Sequence, residues 1–593
     1  MMGGLATGVS LAQDNQSDVQ QKGEENSGIV VQEGTINTAN ILQGIGGTAD
    51  FNEAVQTQIG DKNEAFIDQG TEGGEAYYNV ATQTQKGDEN SADIDQGTRD
   101  GYAEGNTATQ TQETDYNTAV IDQGDDDGEA YDNVATQYQG GDYNEAFIDQ
   151  GEDDGYGEGN EATQTQEGDY NEAEIDQGVD GGEAYDNVAT QTQPGDENYA
   201  EINQGVEGGY AEGNEATQYQ EGDFNEALID QGNDDGEAYY NVATQEQYGD
   251  ENFAQVDQGN GGDRAEDNVA TQQQYGDHNN ALIVQGDEGG YAEGNEATQI
   301  QEGDFNEATI NQGVLDGEAY DNVATQSQPG DENEATIDQG IEGGYAEGNE
   351  ATQTQEGDEN SALIEQGTYD AEAYDNFATQ YQEGDYNQAT IEQGDNADAE
   401  AYDNVATQEQ YGDYNEAVLQ QGDEGGVAEG NESTQQQYGD YNEARIEQGD
   451  DEGEAYDNVI TQEQYGEENY AQVDQGDQEG YAEGNEATQY QDGYSNAARA
   501  FQGDIEGEAY DNVADQYQEG DENEAVIEQG VEGGEAYDNI AEQEQYGDDN
   551  IATIKQGVDG SSSAGSEAIQ YQEGDENDAY IFQAGEDNFA DQY

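Results

Sequence analysis

Polar and apolar residues alternate along this chain in short stretches that recur over most of its length. In one copy, residues 79–85 read N-V-A-T-Q-T-Q and residues 90–96 read N-S-A-D-I-D-Q. A period of two places successive side chains on opposite faces and is typical of a β-strand. The pattern therefore predicts two strands, each with one inward face of Asn, Ala, Gln and Ile and one outward face of mixed polar residues.

Gly87 and Asp88 lie between the two predicted strands, and a Gly-Asp pair holds this place in nearly every copy. Glycine permits a positive φ, and aspartate can accept a hydrogen bond within its own turn. Residues 97–105 form a longer link rich in Gly, Glu, Asp and Tyr. One unit is therefore expected to read strand, tight turn, strand, longer turn.

The whole unit begins afresh every 27 residues, with few exceptions. Its first asparagine can be followed from Asn26 to Asn539, with Ser566 in the last slot, which makes 21 units. A fixed period of this length indicates a solenoid. We therefore predict an all-β fold, a β-solenoid with two strands per coil and about 21 coils of 26–28 residues stacked in parallel register. The link alternates between GEAYDNVATQ and GYAEGNEATQ, which adds a second period of 54 residues.

Parallel stacking in register brings identical side chains together along the axis. Asparagine and glutamine are then expected to form amide ladders, while Ala and Ile fill a thin core. At about 4.8 Å per coil, the array would be a rod on the order of 100 Å long. The predicted ladder residues of one coil are Asn79, Ala81, Gln83, Gln85, Gly87, Asn90, Ala92, Ile94 and Gln96.

Composition alone would indicate disorder, because only 31% of residues are hydrophobic and the mean hydropathy is −1.15. The few apolar residues nevertheless keep fixed offsets in every unit, which favours an ordered chain. The absence of cysteine fits an extracellular protein that relies on repetition instead of disulfides.

Charge restricts the partners of the chain. With 8 Lys and Arg against 144 Asp and Glu, the formal net charge is −136. Phosphate binding needs clustered basic residues, so we expect no nucleic-acid partner and no attraction to anionic membranes. No apolar run reaches the length of a membrane span, so no membrane insertion is expected. Cations and further copies of the chain remain as partners.

The first residues stand apart from the repeat. Residues 1–12 read MMGGLATGVSLA, and Ser10-Leu11-Ala12 has the small-x-small form of a signal-peptidase site. We interpret residues 1–14 as the remainder of a secretory signal or as a frayed N-terminal cap. Residues 15–593 are predicted to form a single continuous solenoid.

The repeat resembles that of the curlin family, S-x5-Q-x-G-x2-N-x-A-x3-Q. The matching positions are Asn79 in the serine slot, then Gln85, Gly87, Asn90, Ala92 and Gln96. The resemblance implies a secreted, curli-like subunit of functional amyloid fibres, exported through an outer-membrane secretion channel and assembled on a nucleator in adhesion and biofilm formation. The chain departs from that family in its longer period, its larger number of units and its far greater acidity.

The acidic residues form columns at the repeat spacing. Neighbouring carboxylates one coil apart repel by about 0.9 kcal/mol even at the dielectric constant of water. Two interpretations stay open: salt screens the charges and the turn aspartates only shape their turns, or cations such as Ca²⁺ bridge successive coils. The candidate cation ligands are Asp88, Asp115, Asp142 and Asp169 in the tight turns, Asp125, Asp126 and Asp127 in one long link, and Glu152, Asp153 and Asp154 in the next.

Catalysis is not expected. The one histidine is His278, cysteine is absent, and the carboxylates recur in every unit whereas an active site is singular. The 42 tyrosines are expected to stack over turns and strands, or else to mediate lateral contacts.

We therefore predict a structural, self-associating extracellular fibre or matrix protein without an organic cofactor. Two alternatives remain: a soluble, acidic, cation-binding matrix protein that does not polymerise, and an ice-binding solenoid. An ice binder needs flat rows of outward threonines. The row that contains Thr84 and Thr111 is interrupted by Tyr138.

Overall fold

A computed structural model describes most of the chain in two units, Met1–Gly294 and Asn295–Tyr593. Neither unit contains a helix within the described residues. The described residues are 5–10, 14–125, 127–233, 236–260, 264–287, 291–314, 318–341, 345–368, 372–373, 375–393, 400–401, 403–421, 427–448, 454–476, 481–503 and 508–593.

Both units are β-solenoids made of parallel sheets, which confirms the predicted fold class, and the number of coils is close to the 21 expected. One coil of the first unit contains the strands Val80–Lys86, Ser91–Gln96 and Tyr102–Glu104. The first two are the strands that the alternation predicts, and Gly87 begins the tight turn between them.

The third strand differs from the expected two strands per coil. The link was predicted to be a turn, but its three-residue Tyr-Ala-Glu and Glu-Ala-Tyr segments extend and pair with their equivalents in neighbouring coils. The physical reason is the central alanine, because Ala76 and Ala103 are fully buried and close the third side of the core. Three residues are too few for a period of two to stand out in the sequence.

All three kinds of strand pair in parallel with the equivalent strand one coil away, residue for residue. Gln83 is aligned with Gln110, and Ile94 with Ile121. One unit is 28 residues long, since Asn404 follows Asn376 by 28 positions. The extra residue leaves the alignment intact, because Phe377–Glu383 pairs with Val405–Tyr411 at that offset. At the inward ladder positions, like residues therefore stack on like residues in both units.

The strands of the first unit fall into three sets. The first strands are Leu5–Ser10, Ser27–Glu33, Glu53–Ile59, Val80–Lys86, Thr107–Gln112, Val134–Gln139, Glu161–Gln166, Val188–Gln193, Glu215–Gln220, Val242–Gln247 and Val269–Gln274. The second strands are Gln16–Gln21, Thr38–Gln43, Glu64–Gln69, Ser91–Gln96, Thr118–Gln123, Glu145–Gln150, Glu172–Gln177, Tyr199–Gln204, Glu226–Gln231, Phe253–Asn260 and Asn280–Asp287. The third strands are Thr48–Asp50, Glu75–Tyr77, Tyr102–Glu104, Glu129–Tyr131, Tyr156–Glu158, Glu183–Tyr185, Tyr210–Glu212, Glu237–Tyr239, Arg264–Glu266 and Tyr291–Glu293.

The second unit repeats this arrangement. Its first strands are Glu296–Gln301, Val323–Gln328, Glu350–Glu356, Phe377–Glu383, Val405–Tyr411, Glu432–Tyr438, Val459–Glu467, Glu486–Tyr494, Val513–Glu519, Ile540–Tyr546, Glu567–Glu573 and Phe589–Gln592. Its second strands are Glu307–Val314, Glu334–Ile341, Ser361–Thr368, Gln388–Gln393, Glu416–Gln421, Glu443–Gln448, Tyr470–Gln475, Ala497–Gln502, Glu524–Gln529, Ile551–Gln556 and Asp578–Gln583. Its third strands are Glu318–Ala319, Tyr345–Ala346, Glu372–Ala373, Glu400–Ala401, Val427–Glu429, Glu454–Tyr456, Tyr481–Glu483, Glu508–Tyr510, Glu535–Tyr537, Ser562–Ala564 and Gly585–Glu586.

The apolar core is thin, because a typical coil supplies one alanine from each strand and one larger aliphatic residue. In one coil these residues are Ala81, Ala92, Ala103 and Ile94, none more than 1% exposed. The described part of the N-terminal segment, Leu5–Ser10, pairs in register with residues 27–32. Its interpretation as a signal remainder stays a prediction, as does a single continuous solenoid over residues 15–593. In the part of the chain that the structure describes, no helix has the length and apolar character of a membrane span.

Candidate functional site

Glutamine ladders run along the interior of each unit. The Nε2 group of Gln83 donates to Gln110 Oε1 at 2.9 Å and to the carbonyl oxygen of Phe66, on the opposite strand, at 2.7 Å. Gln85 likewise donates to Gln112 Oε1 at 2.9 Å. Each of these side chains therefore ties its coil to the next and also bridges the core. These hydrogen bonds allow a polar side chain to be buried without loss of a partner.

Asparagines hold the two corners where the first and second strands begin. The backbone N–H of Asn79 donates to Asn52 Oδ1 at 2.8 Å, and its side-chain Nδ2 donates to the carbonyl oxygen of Ala103 at 2.9 Å. At the other corner, the N–H of Asn90 donates to Asn63 Oδ1 at 2.9 Å. Each asparagine oxygen thus accepts from the next coil, so the corners as well as the strands are linked from coil to coil.

The tight turn depends on Gly87 and on the aspartate that follows it. Gly87 has φ +91°, and a Cβ atom added there would lie 2.5 Å from the carbonyl oxygen of Thr114 in the next coil. The Oδ1 atom of Asp88 accepts the backbone N–H of Asp61 at 2.7 Å. The turn aspartate therefore accepts a backbone N–H of the neighbouring coil. The sequence had suggested a hydrogen bond within its own turn.

This arrangement repeats along the turn column. The N–H of Asp88 donates to Asp115 Oδ1 at 2.7 Å, that of Asp115 to Asp142 Oδ1 at 2.9 Å, and that of Asp142 to Asp169 Oδ1 at 2.7 Å. Among the described residues, none of these four aspartates belongs to a group of acidic side chains that lie close enough to share a cation. Their position supports a hydrogen-bonding role at the turn.

Two groups of carboxylates converge elsewhere, where the second strand meets the long link. Asp95, Asp122 and Asp125 form one group, and Asp122, Asp149 and Glu152 form the other. Within each group, one carboxylate oxygen from each of the three residues lies within 4.8 Å of the other two. Three of these residues share one outward column, since Asp95 is aligned with Asp122 and Asp122 with Asp149. Oxygen ligands at this spacing are suited to a hard cation such as Ca²⁺.

Of the candidate ligands Asp125, Asp126 and Asp127 in the long link, the described part of the structure brings only Asp125 into one of these groups. Asp125 is fully buried and joins the first group. Asp127 is exposed, has φ +69° and lies outside both groups, while Asp126 lies outside the described residues.

Asp125 already has partners within the protein. The hydroxyl group of Thr98 donates to its Oδ1 atom. The guanidinium of Arg99 lies 3.5 Å from Asp125 Oδ2 and 3.7 Å from Asp95 Oδ2. One of the 8 basic residues of the chain is thus placed against two carboxylates of this group.

Burial changes the acidity of the outward carboxyl groups of the second strand, both in the column of Asp68, Asp95 and Asp122 and at Asp93, which lies two residues before Asp95. It raises the pKa of Asp68 to about 6, with a further rise from the charges of Glu72 and Asp125. Burial also raises the pKa of Asp93 to about 7, with Asp68 as the next cause. The pKa values of Asp95 and Asp122 are raised in the same direction, again chiefly by burial. These carboxyl groups therefore hold protons more tightly than free aspartate does.

Sequence reasoning missed this column, although its signal was present. An aspartate recurs between Ile and Gln in the second strand, as in Asp68, Asp95 and Asp122. Such a residue was expected to face solvent. Stacking of successive coils and the returning link instead leave Asp68 and Asp122 half-buried and Asp95 buried.

His278 takes the second central position of a tight turn, with φ +60°. Its Nε2 atom lies 2.9 Å from Glu251 Oε2, the equivalent turn residue one coil earlier. His278 is therefore a surface turn residue that pairs with an acidic residue of the neighbouring coil. The absence of catalysis and of an organic cofactor stays a prediction.

Comparison with known proteins gives no family whose sequence model matches this chain. It also gives no curated protein with significant sequence similarity to it.

Proposed function

We propose that this chain is a structural, curli-like fibre or matrix protein that is secreted and associates with further copies of itself in the extracellular matrix, in adhesion and biofilm formation. The observation that carries the proposal is the coil-to-coil bonding. Each coil offers its neighbour a parallel backbone ladder and also the side-chain amide ladders of Gln83, Gln85 and Asn79.

This bonding does not depend on the covalent chain that joins two coils. The hydrogen bonds of Gln83 to Gln110 form between residues 27 positions apart, and the same donors and acceptors are present on coils of a second molecule. A strand edge with unpaired N–H and C=O groups is a template for another strand. Self-association therefore needs no interface other than the one that already repeats within each unit.

Charge opposes this association. The net charge of −136 is distributed over acidic columns, so two molecules repel each other at low ionic strength. We expect salt to permit assembly, and the secretion channel and nucleator that the curlin resemblance implies would determine where it begins.

Electron microscopy and sedimentation of the purified full-length chain test the proposal across a series of NaCl and CaCl₂ concentrations. We expect filaments longer than one molecule to form as salt rises, and fragments of those filaments to shorten the lag of a fresh sample. The matched control is the same preparation at low ionic strength, where single molecules should persist.

Monodisperse particles at every salt and calcium concentration would contradict the proposal and would favour the soluble, cation-binding alternative. Ice binding has less support, because Tyr138 stands in register between Thr111 and Thr165 and interrupts the row of threonines. A measurement of thermal hysteresis distinguishes that third function from the other two.

A further inference from the structure

A column of seven tyrosines runs along the third strands of the first unit. Neighbouring rings have centroids 5.2–5.8 Å apart and planes inclined by 36–43°. These distances place each ring in contact with the next. The members of this tyrosine column are Tyr77, Tyr102, Tyr131, Tyr156, Tyr185, Tyr210 and Tyr239.

Every hydroxyl group in the tyrosine column donates a hydrogen bond to a glutamate two residues away on the same strand. The distances to Oε2 are 2.7 Å for Tyr102 and Glu104, and 3.0 Å for Tyr131 and Glu129. The other five pairs are Tyr77–Glu75 (3.2 Å), Tyr156–Glu158 (2.6 Å), Tyr185–Glu183 (3.1 Å), Tyr210–Glu212 (2.8 Å) and Tyr239–Glu237 (3.2 Å).

The alternating links produce this arrangement. Because Tyr-Ala-Glu and Glu-Ala-Tyr strands alternate, Tyr102 is aligned with Glu75 on one side and with Glu129 on the other. Each tyrosine is therefore bordered by carboxylates within its own strand and in both neighbouring strands, while the rings contact each other diagonally.

The phenols in this column keep their protons over the ordinary pH range. Burial, together with the hydrogen bond to glutamate, raises the pKa of Tyr131 and Tyr185 to about 12. A neutral phenol that loses an electron becomes a strong acid, so its oxidation is favoured where a base can take the proton at once. The paired glutamate is such a base, already within hydrogen-bond distance.

We infer that the tyrosine column is a site of oxidative cross-linking, at which a peroxide-driven one-electron oxidant joins the tyrosines of successive coils through carbon–carbon bonds. The inference rests on the ring contacts and the paired carboxylates, and it does not depend on fibre formation.

Each of two neighbouring phenols gives one electron to the oxidant and its hydroxyl proton to its glutamate. The two phenoxyl radicals form one bond between ring carbons ortho to oxygen, and the two ring hydrogens move to the phenol oxygens. Hydrogen peroxide takes up the two electrons and two protons and becomes two molecules of water.

Such bonds would serve a chain that cannot form disulfides, because the sequence contains no cysteine. A link from Tyr102 to Tyr131 would join two consecutive coils covalently and oppose their separation by charge repulsion. The chain would then become more resistant to unfolding in an oxidising surrounding.

The full-length chain, kept dilute, is treated with hydrogen peroxide and a haem peroxidase, digested with a protease that cleaves at aspartate, and analysed by mass spectrometry. We expect cross-linked peptides that contain Tyr102 and Tyr131, with the mass of a single chain on a denaturing gel. The test variant is the double substitution Glu104→Gln and Glu129→Gln, which removes the carboxylate that accepts each hydroxyl hydrogen bond but keeps the side-chain shape. Its Tyr102–Tyr131 product should fall on the order of 10²-fold, the usual contribution of a positioned base.

The same molecule contains two controls. The Tyr185–Tyr210 product, whose glutamates are unchanged, should form at the same yield in the variant. Tyr116, Tyr143 and Tyr170 form a second, exposed stack with centroids 4.6 and 4.8 Å apart, and their hydroxyl groups have no carboxylate acceptor within the described residues.

The inference would be overturned if no product forms within the column, if the double variant leaves the Tyr102–Tyr131 yield unchanged, or if the exposed stack reacts as well as the column. Circular dichroism of the variant before oxidation verifies that its coils are intact.

Discussion

At the scale of single residues, the tight turn shows how closely successive coils approach. Gly87, in the tight turn, and Gly181, in a long link, both have a positive φ, +91° and +81°. An added Cβ would lie 2.5 Å from the carbonyl oxygen of Thr114 at the first position, whereas no atom lies within 4 Å at the second. Both positions therefore favour glycine because of their positive φ, but only Gly87 also lacks space for a side chain.

We expect Gly181→Ala to destabilise its coil by about 1–2 kcal/mol, the cost of a left-handed conformation for a residue with a Cβ. Gly87→Ala should destabilise more, because the turn must also move away from the next coil. Hydrogen exchange around each site and thermal unfolding followed by circular dichroism measure the difference. Equal losses at the two sites would mean that the contact with Thr114 relaxes freely.

Residue identity predicted the ladder positions well, because a buried amide is stable only where an equivalent amide lies one coil away. Gln83 and Asn79 could be placed inward on that argument alone. Asp95 could not, since its burial comes from Asp68 and Asp122 on neighbouring coils and from the returning link that carries Asp125. The burial of Asp95 therefore depends on how the coils stack, and the sequence of its own strand does not reveal it.

At the scale of the strands, the 54-residue period has a physical reason. Alternation of Glu-Ala-Tyr with Tyr-Ala-Glu keeps carboxylates out of adjacent positions in each column of the third sheet, as at Glu75, Tyr102 and Glu129. Like charges directly opposite each other destabilise paired strands. The alternation is not obligatory, because Glu508 is aligned with Glu535 in the second unit, where Tyr510 and Tyr537 stack at 5.1 Å.

The substitution Tyr102→Glu tests this reason, because it would place three glutamates in consecutive coils. We expect a loss on the order of 1–2 kcal/mol at low salt, from two new repulsions one coil apart. Tyr102→Gln is the matched control, since it removes the same ring without adding charge. The difference in thermal stability between the two variants should shrink as NaCl is added. Equal stability of the two variants at low salt would contradict the charge argument.

The outward carboxyl groups of the second strand, Asp68 in one coil and Asp93 in the next, predict how stability depends on pH. The pKa values of Asp68 and Asp93, about 6 and about 7, are raised above the ordinary value, so the folded chain binds these protons more tightly than the unfolded chain. Their contribution to stability is complete below the ordinary pKa of aspartate and is lost as pH rises through these raised values. We therefore expect the melting temperature to rise as pH falls from 8 towards 5.

Asp93→Asn should reduce that dependence on pH, because an amide does not titrate, and should raise the melting temperature at pH 8. The control is Asp154→Asn, a substitution at an exposed link residue, which should leave the slope close to that of the unchanged chain. Parallel curves for the unchanged chain and Asp93→Asn would show that this carboxyl group does not contribute.

At the scale of the whole molecule, charge repulsion opposes the ordered state in addition to the loss of conformational entropy that every folded chain incurs. A net charge of −136 on 593 residues has few internal counterions, since the chain carries only 8 basic side chains. The turn aspartates are engaged with backbone N–H groups of neighbouring coils, as Asp88 is with Asp61, and must remain close together for the turns to form. Mobile ions from the solution must therefore neutralise most of the negative charge.

We expect the melting temperature to rise steeply with NaCl between about 0.01 and 0.15 M and to level off near 1 M, because the screening length falls from about 30 to 8 to 3 Å over that range. Only the last value is shorter than the spacing of about 4.8 Å between coils. Thermal unfolding of the full-length chain in a NaCl series measures this, and a series of CaCl₂ at equal ionic strength separates screening from binding. A larger rise with calcium would indicate ions held between carboxylates of successive coils, whereas a melting temperature independent of NaCl would mean that repulsion between the columns does not limit the fold.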